Sequence, residues 1–204
     1  MMTTFKVLAT VDVLSEAYLQ LLIESYSSFY RHQTPKYQSK INLTLFSRRY
    51  FTYKHNGVAL SDLGMNVKIV CAATEEETTQ IFKEASVLFL PILEGPGPIV
   101  RELLVCGVPI LCHEKSNIKK HIDKQFMLVA GKDNDADYNL SHTIEDYADL
   151  LEMLYFDPSV QKILKKKATK KYRRKVTNGG RLIGVLPFDT ANKPIPGGVL
   201  SASA

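Results

Sequence analysis

Two glutamates around a short glycine-containing loop carry the clearest chemical signal in this chain. Residues 87–104 read VLFLPILEGPGPIVRELL, which places Glu94 directly before Gly95-Pro96-Gly97-Pro98, with seven residues between Glu94 and Glu102. A carboxylate accepts hydrogen bonds from two donors at once. Gly95 and Gly97 lack a Cβ, so their backbone can approach a ligand closely. The apolar run before the loop predicts a strand, and the run after it predicts a helix whose first-turn N–H groups favour a phosphate. Taken alone, the glycines also suit a tight strand-to-helix turn. Glu94 could equally be a solvated loop acid, and Glu102 a solvated helix residue.

The elements that would position this loop follow from hydrophobic periodicity. Phe5–Ala9 reads as a strand. Leu19, Leu22, Ile23 and Tyr26 at helical spacing predict an amphipathic helix from Ser15, its N-cap, to about Tyr30. Ile41–Phe46 is a second strand. Residues 47–66 are less regular, with a turn at His55-Asn56-Gly57 and a short helix near Leu60–Leu63. Val67–Cys71 is a third strand. A helix from Thr74 to about Glu84 carries Glu75, Glu76 and Glu77 in its first turn, where the dipole favours them. Val87–Pro91 is wholly apolar, as befits a parallel strand covered on both faces. The helix from about Ile99 to Val105 is ended by Gly107 and Pro109. Val108–Cys112 and Phe126–Ala130 complete the strands, with a short helix between them capped by Ser116 and running through His121. Ser141 is expected to cap a further helix, and Pro158 to start a last, basic one.

Strands alternating with helices imply an α/β fold: a doubly wound, Rossmann-like parallel sheet of about six strands. Ligands bind such sheets beyond the carboxyl ends of the strands, where the 94–98 loop falls. The expected core contains Val7, Leu8, Leu22, Leu43, Val67, Ile69, Val87, Phe89, Leu90, Leu103, Leu104, Ile110 and Leu128.

The chain has 204 residues, 45% apolar and 23% charged, which bounds it to one globular domain with a tail. The domain spans 1–176, and 177–204 is Gly/Pro-rich. Cys71, Cys106 and Cys112 form no CxxC pair and lie in apolar segments, so reduced, buried thiols and a cytoplasmic setting are expected. The five histidines show no HxxxH spacing, and no metal is assigned. No apolar stretch approaches the ~20 residues of a spanning helix, and the N-terminus lacks a signal-peptide layout. Net charge is +5, and residues 162–175 hold nine of the 26 Lys and Arg with no acid. Any electrostatic function belongs to that segment. It suits an anionic membrane surface, peripherally, at about 1 kcal/mol per Lys. Nucleic-acid phosphates are a less favoured partner, and a plain solvated helix is the third alternative.

Residues 84–112, EASVLFLPILEGPGPIVRELLVCGVPILC, resemble the signature region of the glycogen-synthase-like, retaining GT-B glycosyltransferases (glycosyl transferases group 1). There a strand ends in Glu-Gly-x-Gly, a second Glu follows after seven residues, and an Ala/Cys-Gly-x-Pro turn leads to the next strand. The similarity holds for element order over Phe5–Ala168 and is specific from about Lys83 to Gly131. It implies one half of a GT-B architecture, the C-terminal half that binds the nucleotide-sugar donor. Glu94 would be the catalytic position, contacting hydroxyls of the donor sugar at the reacting face. Backbone from Gly95 through Gly97 to Pro98 would meet the sugar and diphosphate, and Glu102 the ribose hydroxyls. The donor would be a UDP-, GDP- or ADP-sugar, with no further cofactor. The acceptor would need a partner chain or an N-terminal half.

One departure from the family bears on activity. Its members follow the first strand with Gly-Arg and then Lys-Gly, cations that neutralise the leaving diphosphate. Val11-Asp12 and Ala17-Tyr18 stand at those positions here. Such electrostatic stabilisation is usually the largest catalytic term. Arg48 and Arg49, after the second strand, are either substitutes at the same sheet edge or ordinary surface arginines. Arg at 12 and Lys at 17 are expected to tighten diphosphate binding. Two functions therefore stand: donor domain of a retaining hexosyltransferase, or a degenerate, non-catalytic half acting as a binding or assembly subunit.

Overall fold

The computed structural model describes residues 4–71, 74–91, 98–120, 122–131 and 140–173. The strands are β1 (Phe5–Thr10), β2 (Ile41–Ser47), β3 (Lys54–His55), β4 (Val58–Ala59), β5 (Val67–Cys71), β6 (Val87–Leu90), β7 (Ile110–His113) and β8 (Met127–Ala130). The helices are α1 (Glu16–Arg31), α2 (Pro35–Gln38), α3 (Glu75–Glu84), α4 (Pro98–Val105), α5 (Leu140–Phe156) and α6 (Pro158–Arg173).

Alternation along the strands divides the core into two layers. Phe5, Val7 and Ala9 of β1, Ile41, Leu43 and Leu45 of β2, and Val87 and Phe89 of β6 point to one face. There they meet Leu19, Leu22, Tyr26 and Phe29 of α1 and Tyr147, Leu151 and Leu154 of α5. Leu8, Phe46, Leu88 and Leu90 point to the other face, against Phe82 of α3, Val100, Leu103 and Leu104 of α4 and Ala168 of α6. Both faces of the central strands are thus covered, which explains their unbroken apolar runs.

Six strands form one parallel sheet in the order β5-β2-β1-β6-β7-β8. The chain moves outward from β1 to β2 and β5, then returns through α3 to β6 and continues the other way. Strand order therefore reverses between β1 and β6, and the layer carrying α1 lies opposite the layer carrying α4, as right-handed crossovers require. The crossover from β2 to β5 contains an antiparallel β3–β4 hairpin. Its turn residues Asn56 and Gly57 both have positive φ, 50° and 80°, the backbone that a two-residue hairpin loop demands.

Helix ends follow local chemistry. Ser15 Oγ accepts the Tyr18 N–H at 3.4 Å and caps α1. Thr74 and Glu77 exchange side chain and backbone in a capping box at α3. At the end of α4 the Gly107 N–H donates to Leu104 O (2.9 Å) and the Val108 N–H to Leu103 O (3.0 Å). Gly107 has φ +78°, and the pair of bonds is a Schellman motif.

That motif corrects one expected boundary. The Val108 N–H serves the helix end rather than the ladder, so β7 begins at Ile110 and not at Val108. A second correction concerns Ile69, expected in the core but 36% exposed. β5 is an edge strand, covered at its Val67 end by the turn that buries Leu60 and Met65, and Ile69 lies past that cover. The third concerns Ser141, which lies inside α5, so the cap position falls on residue 139, outside the described residues. The tail at 177–204 and the 1–176 boundary also lie outside them.

Candidate functional site

Strand order reverses between β1 and β6, and it is at the carboxyl edge beside such a point that folds of this kind form the crevice that takes ligands. On its left side β1 ends at Thr10 and passes into a turn of 3-10 helix, Val11–Val13. Asp12 points across this edge toward the end of β2. One carboxylate oxygen accepts the Ser47 hydroxyl at 2.6 Å and the other accepts the Arg48 backbone N–H at 2.9 Å. Ser47 Oγ in turn accepts the Arg49 N–H at 3.0 Å. The acid that replaces the family's arginine thus ties the ends of β1 and β2 together, and both arginines stand exposed beyond that tie. Thr10 is fully buried, and its hydroxyl makes no hydrogen bond with the described residues. Ala17 is exposed on the first turn of α1.

On the right side β6 ends at Leu90, and Pro91 is buried. Glu94, Gly95 and Gly97 lie outside the described residues. Pro98 is the first residue of α4, where its missing N–H costs nothing. Glu102 lies on α4 about one turn further on, and its side chain is outside the described residues, as is that of Pro98. The helix is held by fully buried Val100, Leu103 and Leu104 and by the Schellman bonds behind them. Arg48 and Arg49 follow β2, which stands two strands from β6, about 10 Å at ordinary strand spacing. The fold therefore brings Arg48, Arg49, Asp12 and the start of α4 to one edge.

Sequence reasoning missed a second group on the same edge, at the ends of β7 and β8. His113 closes β7 and is only 3% exposed. The Lys115 N–H donates to its Nδ1 at 3.0 Å, so in the neutral ring the proton sits on Nε2. Gly131 follows β8 with φ +75°, and a Cβ there would come within 2.6 Å of His113 Nε2. The Gly131 N–H donates to Asp146 Oδ2 at 2.9 Å. The signal available was position alone, since His113 ends β7 and Gly131 follows β8, while Asp146 comes from α5.

Two other features lie elsewhere. A groove of about 620 Å³ runs between the second half of α1 and the β3–β4 hairpin, lined by Glu24, Arg31, His32, His55 and Asn56 among others. α1 starts at the carboxyl edge and returns toward the amino end of β2, so this groove is separate from the crevice. No group of three or more His, Cys, Asp or Glu that could hold a metal occurs among the described residues.

The sequence matches no protein-family model and no curated protein. Solved structures do match. WaaG, a glycosyltransferase involved in lipopolysaccharide biosynthesis, is similar with a TM-score of 0.59 at 12% identity, over 85% of this chain and 44% of that one. A putative UDP-N-acetylglucosamine 2-epimerase from Listeria monocytogenes gives 0.54 at 11% identity, over 81% of this chain and 39% of that one. The catalytic domain of cholesterol-alpha-glucosyltransferase from Helicobacter pylori gives 0.55 at 11% identity, over 85% of this chain and 99% of that one. At such identities the likeness fixes the fold: one half of the GT-B architecture of glycosyltransferases, Rossmann-like, with this chain spanning less than half of the first two structures.

Proposed function

We propose that the chain binds a nucleoside-diphosphate sugar in the crevice between β1 and β6 and serves as the donor half of a retaining glycosyltransferase. The observation that carries this reading is the coincidence of motif and topology. Glu94, Gly95 and Gly97 fall between β6 and α4 in the sequence and Glu102 lies on α4, beside the point where strand order reverses. In this reading Glu102 holds the ribose hydroxyls, and Glu94 holds hydroxyls of the sugar at the carbon that is attacked. Backbone at the start of α4 meets the diphosphate. As the bond from the anomeric carbon to the diphosphate oxygen breaks, negative charge grows on the leaving group, and Arg48 and Arg49 are the cations that answer it. UDP is the first probe, because a structure with this fold is described by a UDP-sugar.

Calorimetric titration with UDP, GDP and ADP tests the proposal. Weak binding of at least one is expected, and silence from all three at millimolar concentration sinks it. Sugar transfer needs donor and acceptor in contact with water excluded, and the acceptor side of a GT-B cleft belongs to the other half. The chain alone is therefore expected to bind without transferring.

A second reading is favoured by one observation. Asp12, at the family's arginine position, is committed to bonds with Ser47 and Arg48. A half that retains donor affinity but has given up leaving-group catalysis would act as a binding or assembly subunit. A donor-consumption assay with and without an acceptor-domain chain separates the two, since only the first reading gains turnover from the partner.

A further inference from the structure

We propose that α6 is a peripheral membrane anchor whose outward face docks on anionic lipid head groups. Leu164 and Ala168 turn into the core, and Lys165 is half-buried, reaching the Ala85 carbonyl at 3.4 Å. The spacing of 3.6 residues per turn then sends Lys162, Lys166 and Lys170 to the opposite side, and all three are exposed. They stand one turn apart along a row of about 12 Å, with exposed Lys167 beside it. The sequence of α6 contains no acid, so nothing on the helix itself neutralises the row.

The apolar residue on this face decides between partners. Ile163 is 53% exposed and sits among the lysines, one turn from Lys166, Lys167 and, on the same face, Lys170. A phosphate backbone in water offers nothing for an exposed isoleucine. A membrane interface takes both parts, placing apolar side chains at the acyl boundary and lysines among the head groups. No helix among the described residues is long and apolar enough to cross a membrane, so the contact is one of lying on the surface.

Co-sedimentation of the 204-residue chain with vesicles tests this. Vesicles of phosphatidylcholine containing about one-third phosphatidylglycerol are expected to carry the protein down at low salt, and pure phosphatidylcholine vesicles are not. Each lysine is expected to contribute about fivefold in partitioning. The triple variant Lys162→Ala, Lys166→Ala, Lys170→Ala should therefore lose about a hundredfold. Ile163→Ser keeps the charge and should still lose roughly fivefold, from the apolar surface it no longer buries. These exposed positions leave the fold intact, which circular dichroism verifies. Anionic-vesicle binding that both variants retain would overturn the proposal. So would tight binding of an RNA or DNA oligonucleotide that needs the lysines, ignores Ile163→Ser and occurs without vesicle binding.

Discussion

Removing the Asp12 carboxylate tests whether this acid is an anchor or merely a lost arginine. In Asp12→Ala, the Ser47 hydroxyl and the Arg48 N–H lose acceptors now at 2.6 and 2.9 Å. A typical intramolecular hydrogen bond contributes about 0.5–1.5 kcal/mol net. Asp12 is exposed, so water replaces part of what is lost, and about 1–2 kcal/mol is the expected cost. For a chain of this length each kcal/mol moves the midpoint by about 2–4 °C, giving a fall of roughly 2–8 °C in thermal unfolding. Ser47→Ala breaks the same tie from the other side and also releases the Arg49 N–H. The double variant should then fall short of the sum of the singles by more than the ~0.5 kcal/mol scatter of independent sites. The same geometry reverses the family-based expectation for Asp12→Arg. That change deletes both acceptors and sets a third cation beside Arg48 and Arg49, so UDP binding is expected not to tighten. An unchanged midpoint in Asp12→Ala, additive singles, or an Asp12→Arg variant that gains tenfold in UDP affinity at unchanged stability would each refute the anchor.

Two further outcomes follow from the site and its support. Glu102→Ala should weaken UDP binding by about 0.5–1.5 kcal/mol or more, while Glu94→Ala should leave UDP affinity nearly unchanged, because the sugar is absent from that ligand. Equal losses in calorimetry would contradict the assigned roles. Gly107→Ala should destabilise by at least 1–2 kcal/mol, read by denaturant or thermal unfolding, because its φ is +78° and a Cβ would collide with Thr169 Oγ1 and crowd the Lys165 carbonyl at 3.2 Å.

Much of this was legible in the sequence because local and global signals agree. The all-apolar run of β6 and the periodicity of α1 placed the central strands and the inner helix faces. Edges were less legible. Ile69 reads as core because its neighbours alternate like core, yet exposure there depends on how far the turn before β5 reaches along this edge strand. The start of β7 was misplaced because a helix-capping bond and a ladder bond compete for one N–H at Val108, and composition does not show which wins. The anchoring of Asp12 by Ser47 was beyond sequence reasoning for a similar reason. The two residues are 35 positions apart, and only the parallel register of β1 with β2 brings them together.

That register also bears on how well the arginines can stand in for the family's cation. A cation after β2 is one strand further from the β6 loop than a cation after β1, about 4.8 Å. At an effective dielectric of about 20, two unit charges attract by about 4 kcal/mol at 4 Å and about 2 kcal/mol at 9 Å. Moving the cation outward therefore forfeits about 2 kcal/mol. Arg48 or Arg49 can recover the distance by extending across the end of β1, but ordering so long a side chain costs roughly 1.5–2 kcal/mol. On the proposed reading, either route costs about 1.5–2 kcal/mol, roughly ten- to thirtyfold, relative to a cation held at the end of β1 in a fold that does not need the Asp12 tie. On that reading donor binding would survive such a loss, because the proposed ribose, sugar and helix-terminus contacts do not involve the cation. Departure of the diphosphate depends on charge that grows only as the bond breaks, and it bears the loss in full. If the proposed donor role holds, displacing positive charge by one strand would separate affinity from turnover, and variants of Arg48 and Arg49 would lower transfer more than donor binding.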